Sequence, residues 1–513
     1  MQTSDWFLTA RERGNTHTVL DSRHTDGQAW SEGNAVRPLV HGATYFAELH
    51  RCVSAMAPGD LLMFVDWRGD PDERLLGVAG SEVGSLLADA ARRGVDVRGL
   101  MWRSHWDKLA FSGEQNRSLS DEVNEAGGEV VLDMRVRTGG SHHQKFVVLR
   151  HPGRPERDVA FLGGIDLCHS RRDDARHEGD PQKQPMAAVF GPRPPWHDVQ
   201  LAITGPAVGD VETVFRERWD DRQPLSRSPY RRAVDRVKPS DTDCSPLPAQ
   251  LPDPAPTGEH PVQLLRTYGR RLGGYPFAPR GERSVARGYA KALKRARRLI
   301  YLEDQYLWSP EVSSLLAQAL RDNPRLRLVA VLPRVPDQDG RISLPPNLVG
   351  RQRLLHDLHA AGPGRVGVYG LENAAGTPIY VHSKVCVIDD EWASVGSDNF
   401  NRRSWTHDSE VSAAVVGEGY ARALRHELVR EHLGLVGGEE VGIDELPLLF
   451  AQSADALDGW SRAGRQGARP PGQLRPLDEP DLGKGTLAWA TPLYRLVYDP
   501  DGRPLDLRLR RRM

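Results

Sequence analysis

The sequence of 513 residues runs through one set of features twice, in the same order, and that duplication limits its fold more than any other property. Glu82-Val-Gly-Ser-Leu-Leu-Ala-Asp-Ala90 matches Glu311-Val-Ser-Ser-Leu-Leu-Ala-Gln-Ala319. In both copies this helical pattern runs into an alternating strand, VDVRGLMW from Val95 and LRLVAVLP from Leu326. A helix-then-strand pair precedes each, Tyr45 to Trp67 and Tyr289 to Leu307. Further on, SHHQKFVVL (141–149) corresponds to VHSKVCVID (381–389), and LGG (162–164) to VGS (395–397). HDVQLAITG (197–205) corresponds to HDSEVSAAVVG (407–417), and each copy closes on a helix, at 211–219 and 421–433. Helices alternating with buried strands give an α/β fold, a mixed sheet covered by helices in each unit. The duplication predicts a pseudo-two-fold axis with corresponding residues facing each other near it.

The copies occupy residues 1–222 and 262–436. Between them, 223–261 is rich in Pro, Ser and Asp without a hydrophobic period, which predicts a linker or long surface loop. Residues 437–513 form a C-terminal extension. Within it, 458–484 reads as low in order, and LYRLVYDPDGRPLDLRL predicts a small hairpin around Asp501–Gly502.

The chemistry lies in the repeated strands. His143-Gln144-Lys145 and His382-Ser383-Lys384 sit in apolar strands, where positions i and i+2 share a face. Each imidazole thus projects beside its own ammonium, and halves that meet at the dyad place two of each in one pocket. That set suits a phosphodiester. One imidazole attacks phosphorus to form a phosphohistidine, and the other protonates the leaving alkoxide and then deprotonates the incoming water or alcohol. The lysines meet charge building on the non-bridging oxygens. Symmetry alone does not choose between the imidazoles.

Supporting residues follow the same repeat. Ser397 and Asn399, after Gly396, are candidates to donate to phosphate oxygens or to fix the imidazoles; Gly163, Gly164 and Asp166 are their first-half counterparts. Gln200 and Glu410 fall on equivalent strands, and Glu410 is a candidate to hold an imidazole Nδ1–H. His197 and His407 read as structural.

Lys plus Arg is 68 and Asp plus Glu 69, a net charge of −1, which argues against bulk nucleic acid as a stable partner. Cys52, Cys168, Cys244 and Cys386 lack the spacing of a zinc knuckle or disulfide framework. No signal pattern or run of ~20 apolar residues is present, so the expectation is a cytoplasmic monomer touching a membrane from one side. Trp67, Trp102, Trp106, Trp308 and Trp405 lie close to the motifs and are candidates to dip into lipid headgroups.

These residues resemble the phospholipase D superfamily, whose signature is HxKxxxxD followed by a GS-containing turn, present twice in a duplicated fold. The second copy is complete: His382, Lys384, Asp389, Gly396-Ser397 and Asn399. IYLEDQYL (300–307) and WHDVQLAITGPAV (196–208) look like further family segments, and the likeness covers about residues 40–435. The first copy departs from the pattern: Arg150 stands where the family has Asp, and Asp158 or Glu156 in the following insertion are the candidate replacements. GGIDL followed by Arg172-Asp173 resembles the lipid-hydrolysing branch. The resemblance implies His143 as nucleophile and His382 as general acid/base, with Lys145, Lys384 and Asp389 completing the catalytic set, a head-group phosphodiesterase yielding phosphatidic acid or transferring it to an alcohol, and no metal or cofactor. The acidic linker residues Asp241, Asp243 and Asp253 look like solvated loop, not a calcium site. The rival expectations are a nuclease-type phosphodiesterase, a cardiolipin synthase-type transferase, and a non-catalytic lipid-binding protein with a decayed first site.

Overall fold

The structure is a computed structural model describing residues 2–24, 27–104, 113–225, 233, 244–340, 343–477 and 482–509. Trp106, Asp241 and Asp243 lie outside the described residues.

The first half builds one seven-stranded sheet. Its strands are β1 (Ser31–Val40), β2 (Leu61–Asp66), β3 (Asp96–Trp102), β4 (Glu129–Asp133), β5 (Phe146–Arg150), β6 (Val159–Gly163) and, after a short β7 (Trp196–His197), β8 (Val199–Thr204). Their spatial order is β4-β3-β2-β5-β6-β8-β1, with β2/β3 and β3/β4 parallel and the remainder antiparallel. The second half repeats this with β9 (His260–Tyr268), β11 (Leu299–Glu303), β12 (Arg327–Val331), β13 (Val366–Glu372), β15 (Val385–Ile388), β16 (Trp392–Gly396) and β17 (Ser409–Val416). Its order is β13-β12-β11-β15-β16-β17-β9, with the same pattern of directions. Short strands β10 (Glu282–Arg283), β14 (Pro378–Val381) and β18 (Leu474–Pro476) extend it. The expected duplicated α/β unit is present strand for strand.

Parallel neighbours need helical crossovers. Val83–Arg92 and Gly113–Glu125 supply them in the first half, Pro310–Asp322 and Leu344–Ala361 in the second. The inner strands β2, β5, β11 and β15 are buried and largely apolar because both faces are covered, whereas edge strand β1 is polar and half-exposed. Leu61, Met63 and Val65 enter an inner cluster shared by the two halves, while Leu62 and Phe64 point outward under Tyr45 and Leu87. Leu299 and Tyr301 share that inner cluster, with Ile300 and Leu302 on the outer face. Helices Ala207–Trp219 and Glu418–Leu433 also bury their apolar stripes in it, through Val211 and Phe215, and Leu424 and Leu428. The sheets join where edge strand β1 pairs with edge strand β9, Ser31 opposite Val262.

The linker is held in place, and two expectations about the C-terminal extension change. The described part of the linker is a fixed strap: Arg150 Nη2 donates to the Pro252 carbonyl at 2.6 Å, Arg216 Nη1 to Pro248 at 2.7 Å and Trp219 Nε1 to Ser245 at 2.8 Å. The sequence 458–484 contains the end of helix Leu446–Arg462 and strand β18, which adds to β13. The terminal hairpin is absent among the described residues. Helix Lys484–Leu493, one π turn Tyr494–Tyr498 and a short helix Leu505–Leu509 stand there instead. Tyr494 packs on Trp308, and Asp499 accepts from the backbone N–H of Arg403 at 2.9 Å, so docking on the second half overrides the local alternation. No helix among the described residues is long and apolar enough to cross a membrane.

Candidate active site at the seam of the two halves

The two motifs are brought together by crossed pairing. The residue before each motif histidine bridges to the other half: His142 lies opposite Ser409, and Val381 opposite His197 in the β14–β7 pair. The His143 N–H donates to the Ser409 carbonyl at 2.9 Å and the His382 N–H to the His197 carbonyl at 2.8 Å. The residue following each acceptor is a buried acid. His143 Nδ1 lies 2.9 Å from Glu410 Oε2, and His382 Nδ1 lies 2.6 Å from Asp198 Oδ2. Each imidazole is thereby oriented by a carboxylate from the opposite half. An Nδ1–H donated to that carboxylate leaves Nε2 as the free nitrogen.

Asp198 corrects the sequence register. Aligning the two HD pairs makes Gln200 the counterpart of Glu410. The sheets pair Gly163 with Gln200 and Gly396 with Ser412, so Asp198 is the true counterpart of Glu410. The signal was available: anchored on the closing Gly205 and Gly417, the strands align without a gap back to these acids. Gln200 accepts from the Ile165 N–H at 3.2 Å behind the turn and does not line the cleft. His197 and His407, matched in the sequence alignment, do different things. His407 lines the cleft, and His197 is buried against Glu303.

His143 and His382 line one cavity of about 640 Å³, walled also by Trp67, Trp196, Arg171 and Asn399. Lys145 Nζ donates to the His143 carbonyl at 2.9 Å and lies 3.3 Å from Asp166 Oδ1; Lys384 Nζ donates to the His382 carbonyl. Arg171 was missed by the sequence reading, which singled out the adjacent Arg172-Asp173. Its guanidinium lies 3.9 Å over the Trp196 ring and 3.5 Å from Asp166, and Trp196 packs on His382 at 5.1 Å. The cleft thus gathers three cations around two imidazoles.

The other expected residues separate by position. Asn399 reaches the cleft, with Oδ1 buried and unpaired. Ser397 donates to Glu410 Oε2 at 2.6 Å, so it holds the acid. Gly164 has no room for a Cβ, which would strike Asp198 Oδ1. Asp389 stands at the far end of β15 from His382 and accepts from the N–H groups of Arg297, Arg298 and Leu299. That placement corrects its assignment as catalytic: it ties a strand end. The first-half counterpart settles the departure at Arg150. Arg150 Nε lies 3.2 Å from Asp158 Oδ2, Asp158 accepts from the His151 N–H at 2.7 Å, and Glu156 lines a separate surface cavity. None of Arg150, Asp158 and Asp389 lines the cleft, so the exchange at Arg150 falls outside it. Trp405 is buried in the core, and Trp102 and Trp308, both buried, line the cavity with Trp67, which stacks on Trp102. They do not form an exposed lipid-dipping set.

Burial sets the protonation balance. Burial, then the neighbouring Lys145, holds His143 well below the usual imidazole range; burial, then Lys384 and Arg171, does the same to His382. Burial, helped by Asp408, pushes Glu410 up to about 8, and burial raises Asp198. Lys384 is brought down to about 8 by burial. Against the burial penalty, Lys145 and Arg171 keep Asp166 low, while burial and Asp166 drive the neighbouring Asp66 high.

Two imidazoles, each aimed by a carboxylate from the other half and surrounded by cations, are an arrangement suited to a phosphodiester. The family described as Phospholipase D matches residues 72–267, and Cardiolipin synthase, PLD-like domain, matches 289–431. Phospholipase D alpha 1 of Cynara cardunculus is 25% identical over 481 residues, covering 69% of this chain and 58% of the relative. Phospholipase D alpha 2 of Oryza sativa subsp. japonica is 26% identical over 471 residues, covering 68% and 56%. The chain spans a little over half the length of these relatives. The crystal structure of phosphatidylserine synthase from Haemophilus influenzae Rd KW20 aligns with a TM-score of 0.53 at 13% identity, covering 84% of this chain and 93% of that one, and shares the fold. The chain belongs to the phospholipase D superfamily.

Proposed function

We propose that the protein cleaves the head-group phosphodiester of glycerophospholipids through a phosphohistidine, working as a monomer at a membrane surface. His143 Nε2 attacks phosphorus. The bond from phosphorus to the head-group oxygen breaks, and His382 delivers its Nε2 proton to the departing alkoxide. Water, or an alcohol in transfer, then gives a proton back to His382 and attacks the phosphohistidine, releasing phosphatidic acid or its ester. Lys145, Lys384 and Arg171 meet the non-bridging oxygens. A bound phosphodiester anion also offsets the cations that, with burial, lower His382, which lets that imidazole carry the transferable proton.

The observation that carries this reading is the crossed pair of imidazole–carboxylate contacts, His143–Glu410 and His382–Asp198, within one cationic cleft. A lipid is favoured over a nucleic acid by the rim, where the C-terminal extension contributes Leu496 and Val497, 76% and 52% exposed, and by the net charge of −1. The test is release of choline or ethanolamine from mixed phospholipid vesicles, with and without ethanol. Head-group release with phosphatidic acid, shifted to phosphatidylethanol by the alcohol, is expected. Cleavage of single-stranded DNA with no lipid turnover would overturn the lipid assignment, and conversion of phosphatidylglycerol to cardiolipin would make the protein a transferase.

A further inference from the structure

Behind the cleft lies a second cluster that the proposed chemistry does not use. Three imidazoles converge on one carboxylate: His41 Nε2 is 2.8 Å from Glu431 Oε2, His177 Nε2 is 3.0 Å from Glu431 Oε1 and His197 Nδ1 is 3.5 Å from the same oxygen. The four ligand atoms lie within 4.8 Å of one another. All three histidines are buried, and their rings pack edge to face or tilted at 4.7 to 5.8 Å.

The outer nitrogens show what the inner ones carry. His177 Nδ1 is 3.1 Å from the Trp196 carbonyl, which only accepts, so Nδ1 holds the hydrogen. His197 Nε2 is 2.7 Å from Glu303 Oε2, a carboxylate that also accepts from Ser383 and His432. In the neutral tautomers, His177 Nε2 and His197 Nδ1 therefore turn lone pairs toward Glu431. Lone pairs facing a carboxylate at these distances repel unless a proton or a cation stands between them. His197 Nδ1 has no hydrogen-bond partner and is fully buried. An imidazole fixed by a carbonyl or carboxylate on one nitrogen, with its other lone pair free, is the arrangement of a metal-ligating histidine.

We infer that His41, His177, His197 and Glu431 form a binding site for a zinc ion. Three imidazole nitrogens and one carboxylate oxygen are a tetrahedral donor set for Zn²⁺, with ligand distances of roughly 2.0–2.2 Å. Side-chain rotations draw the four atoms inward to reach them. All four positions are filled by protein, so the ion holds structure and carries no reaction step. It links three segments of the first half, the end of β1, the loop before β7 and β7 itself, to helix Glu418–Leu433 of the second. His197 directly precedes Asp198, and its carbonyl receives the His382 N–H, so the ion steadies the strand that orients His382.

The test uses the full chain, purified, chelator-treated and confirmed folded by circular dichroism. Titration with Co²⁺ is expected to give a visible tetrahedral d–d band saturating at one equivalent, displaced by Zn²⁺. Zn²⁺ but not Ca²⁺ is expected to raise Tm by about 2 °C or more. X-ray absorption at the zinc edge is expected to fit three imidazoles and one oxygen, and Glu431→Gln and His177→Gln each to lose the band. Folded wild-type protein that takes up no stoichiometric Co²⁺ and gains no Tm overturns the site and leaves protons on His177 and His197 to balance the carboxylates. A band that survives in both variants overturns it equally, by placing the metal elsewhere. If the variants do not fold, the wild-type stoichiometry and absorption spectrum decide, and a ligand set without three imidazoles refutes the assignment.

Discussion

Replacing Asp198 by Asn tests the crossed-carboxylate geometry most sharply. The amide keeps the volume and an oxygen for the Val199 N–H, which now lies 2.9 Å from Asp198 Oδ1. What changes is the contact with His382 Nδ1 at 2.6 Å. A charge-assisted hydrogen bond is worth about 1.5–3 kcal/mol. At about 1.4 kcal/mol per decade that corresponds to a loss of roughly 10–150-fold in kcat. A Coulomb estimate for an imidazolium beside a carboxylate, about 4 kcal/mol at 4 Å and an effective dielectric near 20, sets the ceiling at roughly a thousandfold. Lys384 and Arg171 add to the effect, because removing the charge of Asp198 leaves their repulsion of a protonated His382 less opposed. The loss belongs in kcat, with KM little changed, since the imidazolium forms during turnover. The assay is head-group release from vesicles at saturating lipid, with Tm measured alongside. Glu410→Gln is the mirror experiment on His143. Both variants folded, with kcat within about threefold of wild type, would refute the argument that these acids hold the imidazoles in their working tautomer.

Three further outcomes are expected. Activity as kcat/KM is expected to peak near pH 8, because Glu410 gains the charge that holds His143 as pH rises toward about 8 and the buried Lys384 loses its proton above about 8; a profile flat from about pH 6 to 9.5 would contradict this. Gly164→Ala pushes a methyl into Asp198 Oδ1, so a tenfold or greater fall in kcat is expected with only about 1–3 kcal/mol lost in denaturant unfolding; unchanged kcat would count against the packing of the acid on the turn. Asp389→Ala releases three backbone N–H groups at the start of β11 and costs about 1–3 kcal/mol of stability, while the folded fraction keeps its kcat; a selective loss of kcat would return Asp389 to the chemistry.

Much of the site was legible because it is local. An HxK triplet on a strand fixes the relative direction of its own two side chains, and the repeat supplied the second copy. That both halves share one mixed α/β sheet followed from the same repeat, whereas the order of the seven strands comes from the pairing itself. What escaped lies between segments. Asp198 was hidden by two HD pairs whose likeness outweighed the alignment from Gly205 and Gly417, and only the pairing of Gly163 with Gln200 and Gly396 with Ser412 fixes the register. Arg171 sits in a loop without periodicity, where nothing local says which of two adjacent arginines turns inward. Arg150 looked like decay because the motif is written as a string, yet the end of β5 lies away from the cleft and Asp158 returns to it through the inserted turn. The tail carried a strand-like alternation that its packing on Trp308 and Arg403 overrode.

The most direct measurement is trapping of a covalent intermediate by a rapid quench in alkaline denaturant. Phosphorus-32-labelled phosphatidyl-p-nitrophenol, whose leaving group needs no proton, would be mixed rapidly with the protein and the labelled peptide mapped. The expected result is acid-labile, base-stable label on His143, accumulating in His382→Asn and absent in His143→Asn. Label on neither histidine, with full turnover in His143→Asn, would contradict the account.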